Sequence, residues 1–501
     1  MVFREIFKRE NIIAATIGLV AFFAYAAFSI FSTSHLYNSP DDHANAFFIT
    51  HFAERGELWY SEPLNLSVQG RVVSRSMMAL GSRVVPIGFP GLAIFYGILA
   101  KIFSVSAINY FTPVLVAMSS IILFFALRKR SDDFKAACGA MIYAFNPALW
   151  YYASRGLYPN AAVLALVVIA GAFMFLFEQK KTALAGSAII LAIAIFIRPV
   201  ELIWIFPVSI GFIFFKFYRM NICAILSGIV FGVFASLLAN HWVYGAWFSN
   251  GYSASLAAPD AFAVAAPGIK TVVKHLARFG IMIFPIHSLA MICAWLWLVS
   301  KKEYRKIAAV IAALVAFIVL PYVVFGARDL VGTGIPTIGT SFVRYWLPAF
   351  MIGAGVVIFV LEKIRSRGLI TVVVAVYMLT SFYAVWYGTP DSLRGIMASL
   401  NRYDNVLSEV RAKIPSDSII IVEQTDKVFF PSYRVVSWLR NPGTYEAIPE
   451  LLKAAPVYYF GITFPPSDIE TLTREKLPKD VSIELVKNFD GESLYQFSLK
   501  K

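Results

Sequence analysis

Apolar runs of about twenty residues, separated by short charged breaks, fill roughly the first 390 residues of this chain. A helix of about twenty apolar residues is long enough to cross the hydrocarbon core of a bilayer. The pattern therefore predicts an all-α polytopic membrane domain over residues 1–390. Its spans fall near 12–33, 107–127, 134–153, 158–177, 182–197, 200–215, 221–243, 277–299, 307–326, 344–361 and 369–387.

The apolar run from Leu92 to Phe103 decides the number of spans. It has about a dozen residues, which is short for a span and typical of an interfacial or re-entrant helix. If it does not cross, eleven spans result and five basic clusters between spans all face the cytoplasm. If it does cross, those clusters face outside while the N-terminal charges stay inside. The positive-inside rule favours eleven spans.

The periodicity changes after about residue 390. Residues 418–422 and 457–460 are predicted to form buried strands, and 481–497 two more, with helices at 402–413, 444–454 and 466–476. The pattern predicts a small soluble α/β domain over residues 391–501. An odd number of spans places that domain on the external or periplasmic side.

Composition supports a membrane protein. The chain has 501 residues, of which 59% are apolar and 15% charged, whereas soluble proteins are closer to a quarter charged. The net charge of +14 lies in short loops and indicates topology rather than binding of nucleic acid. The first apolar run is interpreted as a retained signal anchor with a cytoplasmic N-terminus, so we expect a multi-pass protein of the plasma (inner) membrane.

Two adjacent carboxylates follow the first span, in the stretch Ser39-Pro40-Asp41-Asp42. One interpretation is structural: Ser39 caps a helix from about Asp41 to Arg55, Pro40 occupies its first turn and the acids stabilise its N-terminus. The other is catalytic, with a carboxylate held rigidly at the membrane surface. The two interpretations are compatible, because a capped helix can also position a base.

The predicted external face also collects arginines. Guanidinium groups bind phosphate oxygens and offset negative charge that develops on a leaving group, whereas single external arginines can also contact lipid head groups. Arg198 is the most specific signal among these arginines, because it lies between two apolar runs and can pair with Glu201. The charged residues of this face are Asp41, Asp42, Arg75, Arg83, Arg155, Arg198, Arg278, Arg328, Asp329 and Arg344.

Metal binding is an open alternative at the same place. Asp41, Asp42 and His43 together offer oxygen and nitrogen ligands for a divalent cation. The carboxylate and the arginines suit a reaction in which a lipid-linked phosphate leaves; a phosphate is already a good leaving group, so no general acid is required. We expect no required cofactor.

These motifs, in this order, resemble the GT-C superfamily of integral-membrane glycosyltransferases, in particular the protein O-mannosyltransferases and aminoarabinose transferases. The resemblance covers about residues 10–390. The matching stretches are Ser39-Pro40-Asp41-Asp42, the helix ending at Glu54-Arg55-Gly56-Glu57-Leu58, Pro86-Ile87-Gly88-Phe89-Pro90-Gly91, Arg198-Pro199 and Arg344-Tyr345-Trp346-Leu347-Pro348.

The resemblance implies a catalytic Asp41, assisted by Asp42, and a polyprenyl-phosphate-linked sugar as donor. Asp42 stands where the family usually has Glu. Arg198, Arg83, Arg344 and Arg155 are the expected contacts of the donor phosphate. After the third span the family often has an acid where this chain has Tyr158-Pro159-Asn160, and we assign Tyr158 and Asn160 to the hydroxyl acceptor, which is a protein, a lipid or a glycan.

Two other functions fit a polytopic chain. A secondary transporter commonly has repeated halves and ionisable residues at mid-membrane, and here the functional-looking charges gather on one face. A noncatalytic scaffold would use the external domain to hold partners, and that role does not need a large charged first loop.

Overall fold

The computed structural model describes residues 8–177, 180–214, 219–251, 269–325 and 336–500. Arg328 and Asp329 of the predicted external face lie outside these residues. Contacts divide the chain into two compact units. Unit 1 comprises Met1–Ser32, Ser106–Ala239 and Ala258–Ile396, and unit 2 comprises Thr33–Val105, Asn240–Ala257 and Met397–Lys501.

Helices dominate the described residues. In chain order they are α1 (Arg9–Phe31), α2 (Pro40–Arg55), α3 (Gly91–Ile102), α4 (Ile108–Arg128), α5 (Asp133–Ala144), α6 (Pro147–Ser154), α7 (Pro159–Leu176), α8 (Lys181–Ile197), α9 (Leu202–Phe214), α10 (Arg219–Tyr244), α11 (Ile269–His275), α12 (Pro285–Ser300), α13 (Arg305–Phe325), α14 (Ser341–Tyr345), α15 (Leu347–Lys363), α16 (Arg367–Trp386), α17 (Leu393–Arg411), α18 (Asp426–Phe429), α19 (Pro442–Ala454) and α20 (Pro466–Thr471).

The predicted multi-pass architecture is confirmed, but the count of eleven spans is not. Within the described ranges, six helices are long and apolar enough to cross a membrane, or eight spans if each of two bent helix pairs counts as one. The predicted span 134–153 is interrupted: α5 ends at Ala144, and the Asn146 side chain caps α6 by accepting hydrogen bonds from the N–H groups of Ala148 and Leu149. The predicted turn at Arg198 is a bend of 113°.

Unit 1 is built from these apolar helices. Gly228 and Gly232 of α10 let the backbones of α8 and α10 approach, since an added Cβ would lie 2.8 and 2.7 Å from the carbonyl oxygens of Ala188 and Ala192. Many apolar side chains on the outside of the helices are exposed, such as Leu379 at 69%. A bilayer would cover these side chains.

Unit 2 contains two sheets. Strands β1 (Tyr60–Ser61), β2 (Met77–Leu80) and β3 (Arg83–Pro86) form an antiparallel sheet in the order β1-β3-β2, in which β2 and β3 make a hairpin. A second sheet has the order β5-β4-β6-β8-β7. Its strands are β4 (Ile419–Val422), β5 (Arg434–Ser437), β6 (Val457–Ile462), β7 (Val481–Phe489) and β8 (Glu492–Leu499).

The second sheet confirms the predicted strands and adds β5. Strands β4, β5 and β6 are parallel, and β8 joins β6 antiparallel. The core of this α/β layer also takes in the first loop, because Val68 and Val72 pack with residues such as Ile421 and Tyr459. The first loop, which we placed with the membrane domain, therefore shares a hydrophobic core with the C-terminal residues.

Helix α3 is the run that decided the predicted topology. It has 12 residues, from Gly91 to Ile102, and is too short to count as a span. It packs against α2 within unit 2. This length agrees with the interfacial helix expected from the sequence.

Candidate functional site

Asp41 lies in the first turn of α2. Ser39 precedes the helix in an extended conformation and its Oγ accepts a hydrogen bond of 3.1 Å from the N–H of Asp41, while Pro40 occupies the first helical position. The helix ends at Arg55 and is capped by Gly56, whose φ of 74° places it in the left-handed region that favours glycine. The predicted cap is therefore present, and it fixes the backbone that carries the carboxylate.

A second contact holds the Asp41 side chain. Ser76 Oγ donates a hydrogen bond of 2.6 Å to Asp41 Oδ1. Ser76 has a φ of 61°, which is unfavourable for a residue other than glycine. Strained backbone of this kind persists where the surrounding structure imposes it, and it often occurs at functional positions. Asp41 itself is half-buried.

Asp42 and His43 are more deeply buried than Asp41, with 1% and 6% of their surfaces exposed. The His43 ring packs edge-on against Tyr37 and Phe430, at centroid distances of 6.2 and 5.7 Å. Among the described residues no group of three or more His, Cys, Asp or Glu side chains could hold a metal ion. The divalent site considered from Asp41, Asp42 and His43 is thus not formed by these three side chains.

Unit 1 brings five of the predicted site residues into one cluster, which we call the arginine–tyrosine cluster. It consists of Arg155, Tyr158, Asn160, Arg198, Glu201, Arg344 and Tyr345. The buried Arg198 pairs with the buried Glu201 at 2.9 Å between Nε and Oε1, and its Nη1 donates to Asn160 Oδ1 at 3.1 Å. Asn160 Nδ2 in turn donates to Glu201 Oε1 at 2.8 Å. Trp204 Nε1 donates to the other carboxylate oxygen of Glu201.

Two tyrosine rings join the three arginines of the cluster. The guanidinium carbons of Arg155 and Arg344 lie 5.2 and 5.1 Å from the centre of the Tyr158 ring. Those of Arg198 and Arg344 lie 5.2 and 5.0 Å from the centre of the Tyr345 ring. Such contacts stabilise cations in partly desolvated surroundings. The named groups of the cluster carry more positive than negative charge.

Arg83 and Arg75 belong to unit 2. Arg83 is an exposed residue of β3, with its guanidinium carbon 5.1 Å above the Trp59 ring. Arg75 has a clear structural partner: its Nε donates to Asp426 Oδ1 at 2.6 Å. Asp426 is fully buried, and its Oδ2 also accepts from Ser74 Oγ and from the Arg75 N–H. Arg75 therefore ties the first loop to α18.

Sequence reasoning missed Asp391 and Tyr151. The Asp391 carboxylate accepts hydrogen bonds from the Gly339 N–H at 3.0 Å and from Thr389 Oγ1 at 2.8 Å. Tyr151 links this acid to the cluster, since its hydroxyl donates to the Asp391 carbonyl oxygen and accepts from Arg155 Nη1. Asp391 is an acid that closely follows the last predicted span, and this position was a sequence signal for it. The signal went unused because the predicted domain boundary lies at the same residue.

Comparison with solved structures identifies the fold. Apo ArnT from Cupriavidus metallidurans matches with a TM-score of 0.51 at 11% identity, covering 97% of both chains. The same protein bound to undecaprenyl phosphate matches at 0.47 and 12% identity over 97% of both chains. An oligosaccharyltransferase from Archaeoglobus fulgidus matches at 0.46 and 11% identity, covering 91% of this chain and 68% of its own.

No protein-family model matches the chain, and neither does any curated protein sequence. The likeness to apo ArnT confirms, at the level of the fold, the resemblance to the GT-C proteins noted from the sequence. Together with the apolar helices, it identifies a multi-pass membrane protein with a small C-terminal sheet region.

Proposed function

We propose that the chain is an integral-membrane glycosyltransferase that moves a sugar from a polyprenyl-phosphate-linked donor to a hydroxyl acceptor on the outer face of the membrane. The observation that carries the proposal is the Asp41 carboxylate, held by Ser76 in the first turn of α2, in a chain with the fold of ArnT. A hydroxyl is a poor nucleophile at neutral pH, so a positioned carboxylate base accelerates its attack.

In the proposed step the acceptor oxygen forms a bond to the anomeric carbon while the bond from that carbon to the phosphate oxygen breaks. The hydroxyl proton passes to Asp41, and the polyprenyl phosphate leaves with the bonding electron pair. The attack comes from the side opposite the phosphate, so the anomeric configuration inverts. Asp42 supports the first turn of α2, where two carboxylates interact favourably with the helix N-terminus.

The arginine–tyrosine cluster is the proposed contact for the donor phosphate. Arg155, Arg198 and Arg344 supply guanidinium groups around shared tyrosine rings, and such groups offset charge on a departing phosphate. Arg83 of unit 2 is proposed as a further phosphate contact, and Tyr158 and Asn160 as acceptor contacts. No divalent ion takes part in the proposed step.

An apolar groove in unit 1 suits the lipid part of such a donor. It lies between α8 and α10 and has a volume of about 830 Å³. Its lining runs from Lys181 to Phe196, two residues before Arg198. A polyprenyl chain in this groove would bring its phosphate towards the end of α8 that carries Arg198.

Turnover of defined donors tests the proposal. Purified protein in lipid nanodiscs would be incubated with a panel of polyprenyl-phosphate hexoses and pentoses, with glycan, peptide and lipid acceptors, and the release of polyprenyl phosphate would be measured. We expect release from at least one donor, stimulated by one acceptor class. A protein that releases no lipid phosphate from any pair would contradict the proposal and favour the transporter or scaffold functions.

A further inference from the structure

A pocket in unit 2 has no part in the step described above. It lies between α2, the first-loop strand β1 and the segment that leads into β5, and its volume is about 450 Å³. That volume is within the range of small-molecule sites. The side chains used below are Phe47, His51, Arg55, Tyr60, Glu62, Asp417, Phe430, Ser432 and Arg434.

Aromatic rings form one wall of this pocket. Phe47 contacts Tyr60 and Phe430 at ring-centroid distances of 5.3 and 4.9 Å, and Tyr60 lies 5.7 Å from Phe430. His51 stacks on Phe47 at 5.7 Å. Rings held in this way present rigid apolar faces at little cost in conformational entropy.

The polar groups of the pocket are balanced in charge. Arg434 Nε pairs with the buried Glu62 at 3.1 Å, and the exposed Arg55 and Asp417 add one charge of each sign. An anion site would need an excess of positive charge, which these groups do not supply. Paired carboxylates and guanidinium groups beside aromatic faces instead suit a neutral ligand that carries several hydroxyl groups.

His51 adds a polar atom to the same wall. It is 8% exposed, its Nε2 has no hydrogen-bond partner among the described residues, and the backbone of Trp59 hydrogen-bonds to its ring. A buried polar atom without a partner carries an energetic cost.

Helix α2 connects the pocket to the proposed base. Asp41 lies in its first turn, and Phe47, His51 and Arg55 follow at intervals of four residues, which places them on one face. At 1.5 Å per residue, Phe47 is about 9 Å and His51 about 15 Å from Asp41 along the helix axis. The pocket and the proposed base are therefore carried by the same helix.

We propose that this pocket binds a sugar ring of the acceptor, and hence that the acceptor of the transfer is a glycan. The identification of this sugar as part of the acceptor rests on the proposed function. Binding of a sugar in the pocket does not depend on it. The aromatic wall stacks on the apolar face of the ring. Glu62, Asp417 and Arg434 take its hydroxyl groups.

Ligand binding without donor tests the pocket directly. The full-length protein in nanodiscs would be mixed with methyl glycosides of glucose, mannose, galactose and N-acetylglucosamine and with short oligosaccharides built from them. Saturation-transfer NMR and titration calorimetry would measure binding. We expect at least one of these saccharides to bind, and Ser432→Trp, which places an indole in the pocket from an exposed position, to weaken that binding by about tenfold or more.

Controls separate the pocket from the rest of the molecule. Ser467→Trp makes the same change at an exposed serine of α20 outside the pocket and should leave saccharide binding unchanged. Arg55→Ala, at another exposed lining position, is a second test that removes no buried group. In turnover assays Ser432→Trp should raise KM for a glycan acceptor more than it lowers kcat.

The outcomes distinguish the two proposals. Transfer to a peptide or lipid without any saccharide binding overturns the glycan pocket and leaves the glycosyltransferase assignment intact. Saccharide binding that Ser432→Trp weakens, in a protein that turns over no donor, supports the pocket and contradicts the proposed function. Saccharide binding that neither Ser432→Trp nor Arg55→Ala alters also overturns the pocket.

Discussion

The arginine–tyrosine cluster of unit 1 and the Asp41 region of unit 2 use the same residue types in opposite ways. In the cluster, Arg198 pairs with Glu201, three residues further on, and three arginines share two tyrosine rings. In unit 2, Arg75 pairs with Asp426, which lies 351 residues away in the sequence, and ties two segments together. Arg198 has a local acidic partner and stays within a group of charges, whereas the distant acidic partner of Arg75 makes this arginine a structural cross-link.

Two carboxylates of unit 2, Asp426 and Asp41, differ in burial and in their surroundings. Asp426 is fully buried and accepts hydrogen bonds from Ser74 and from two donors of Arg75. Asp41 is half-buried, and the Ser76 hydroxyl donates to it at 2.6 Å. A fully buried carboxylate enclosed by three donors is suited to stability, and a half-buried one in the first turn of a helix is suited to reaction. Substitutions of these two carboxylates should therefore affect different measurements.

The largest expected effect follows from Asp41→Asn. This change keeps the shape of the side chain and can keep a hydrogen bond to Ser76, but it removes the base. Since a positioned base typically contributes 10²–10⁴-fold, transfer should fall by about that factor. Turnover with the true donor and acceptor is the measurement, and expression, thermal stability and donor binding should stay close to those of the wild type.

Two variants control the Asp41 experiment. Asp42→Asn removes the neighbouring, more buried carboxylate and should reduce transfer less than Asp41→Asn does. Asp468→Asn alters an exposed acid of unit 2 and should have no effect on transfer. Wild-type turnover in Asp41→Asn would remove the basis for assigning the base to this residue.

The next largest effect concerns the cross-link in unit 2. Asp426→Asn replaces a fully buried acceptor by an amide whose NH₂ group would face the donors of Ser74 and Arg75. Breaking a buried pair by changing one partner typically costs about 3–5 kcal/mol. The thermal midpoint of the purified protein should fall by several degrees, whereas the chemistry at Asp41 would remain available in the fraction that stays folded.

An exposed ion pair provides the matched control. Lys453 and Glu450 are 2.8 Å apart, close to the distance between Arg75 and Asp426, but their side chains are 69% and 43% exposed, whereas that of Asp426 is fully buried. Glu450→Gln should therefore leave the thermal midpoint unchanged. Equal shifts for Asp426→Asn and Glu450→Gln would show that Asp426 is not a structural cross-link.

Local signals explain what the sequence could predict. Length and apolarity predicted the helices, Ser39 and Pro40 predicted the start of α2, and the three-residue spacing predicted the pair of Arg198 and Glu201. The interruption at Asn146 was not predicted, because Asn-Pro inside an apolar run can also be read as part of one span. A run of twenty apolar residues sets a length but does not specify a straight helix.

Long-range contacts explain what the sequence could not predict. Val68 and Val72 lie in a largely polar stretch of the first loop, and their place in the core depends on a sheet more than three hundred residues away. Arg75 looked like the other external arginines because its partner, Asp426, lies in the C-terminal part of the chain. The β5 strand, Arg434–Ser437, is too short and too polar at its ends to stand out by periodicity.

A smaller effect is expected at Arg198. Arg198→Lys keeps the positive charge but loses the planar fork that can bind phosphate through two parallel hydrogen bonds. Hydrogen bonds to charged groups contribute about 1.5–3 kcal/mol, so the donor should bind roughly ten- to a hundredfold more weakly. Titration of the wild type and the variant with a polyprenyl phosphate measures this difference.

Experiments on Arg198 need a control for the effect on its buried partner, Glu201. Arg198→Ala leaves Glu201 buried without its guanidinium, which can destabilise the protein for reasons unrelated to the donor. The double variant Arg198→Ala/Glu201→Gln removes that uncompensated charge. If the stable double variant binds the donor as well as the wild type does, Arg198 is a structural partner of Glu201 and not a phosphate contact.

The smallest effect is a pH dependence in unit 2. Burial lowers the pKa of His43 to about 4, against the opposing influence of the Asp426 charge. The unfolded chain, with an ordinary histidine pKa of about 6.5, therefore binds a proton between about pH 6.5 and 4 that the folded chain does not. Stability is fully retained above pH 6.5 and falls as the pH is lowered towards 4, by about 1.4 kcal/mol at pH 5.5.

His43→Phe keeps an aromatic ring between Tyr37 and Phe430 and removes the titration, so its thermal midpoint should drop less than that of the wild type between pH 7.5 and 5.5. His35→Gln, at an exposed histidine of the same unit, should behave like the wild type. An identical drop in the wild type and His43→Phe would mean that other groups carry the acid sensitivity of unit 2.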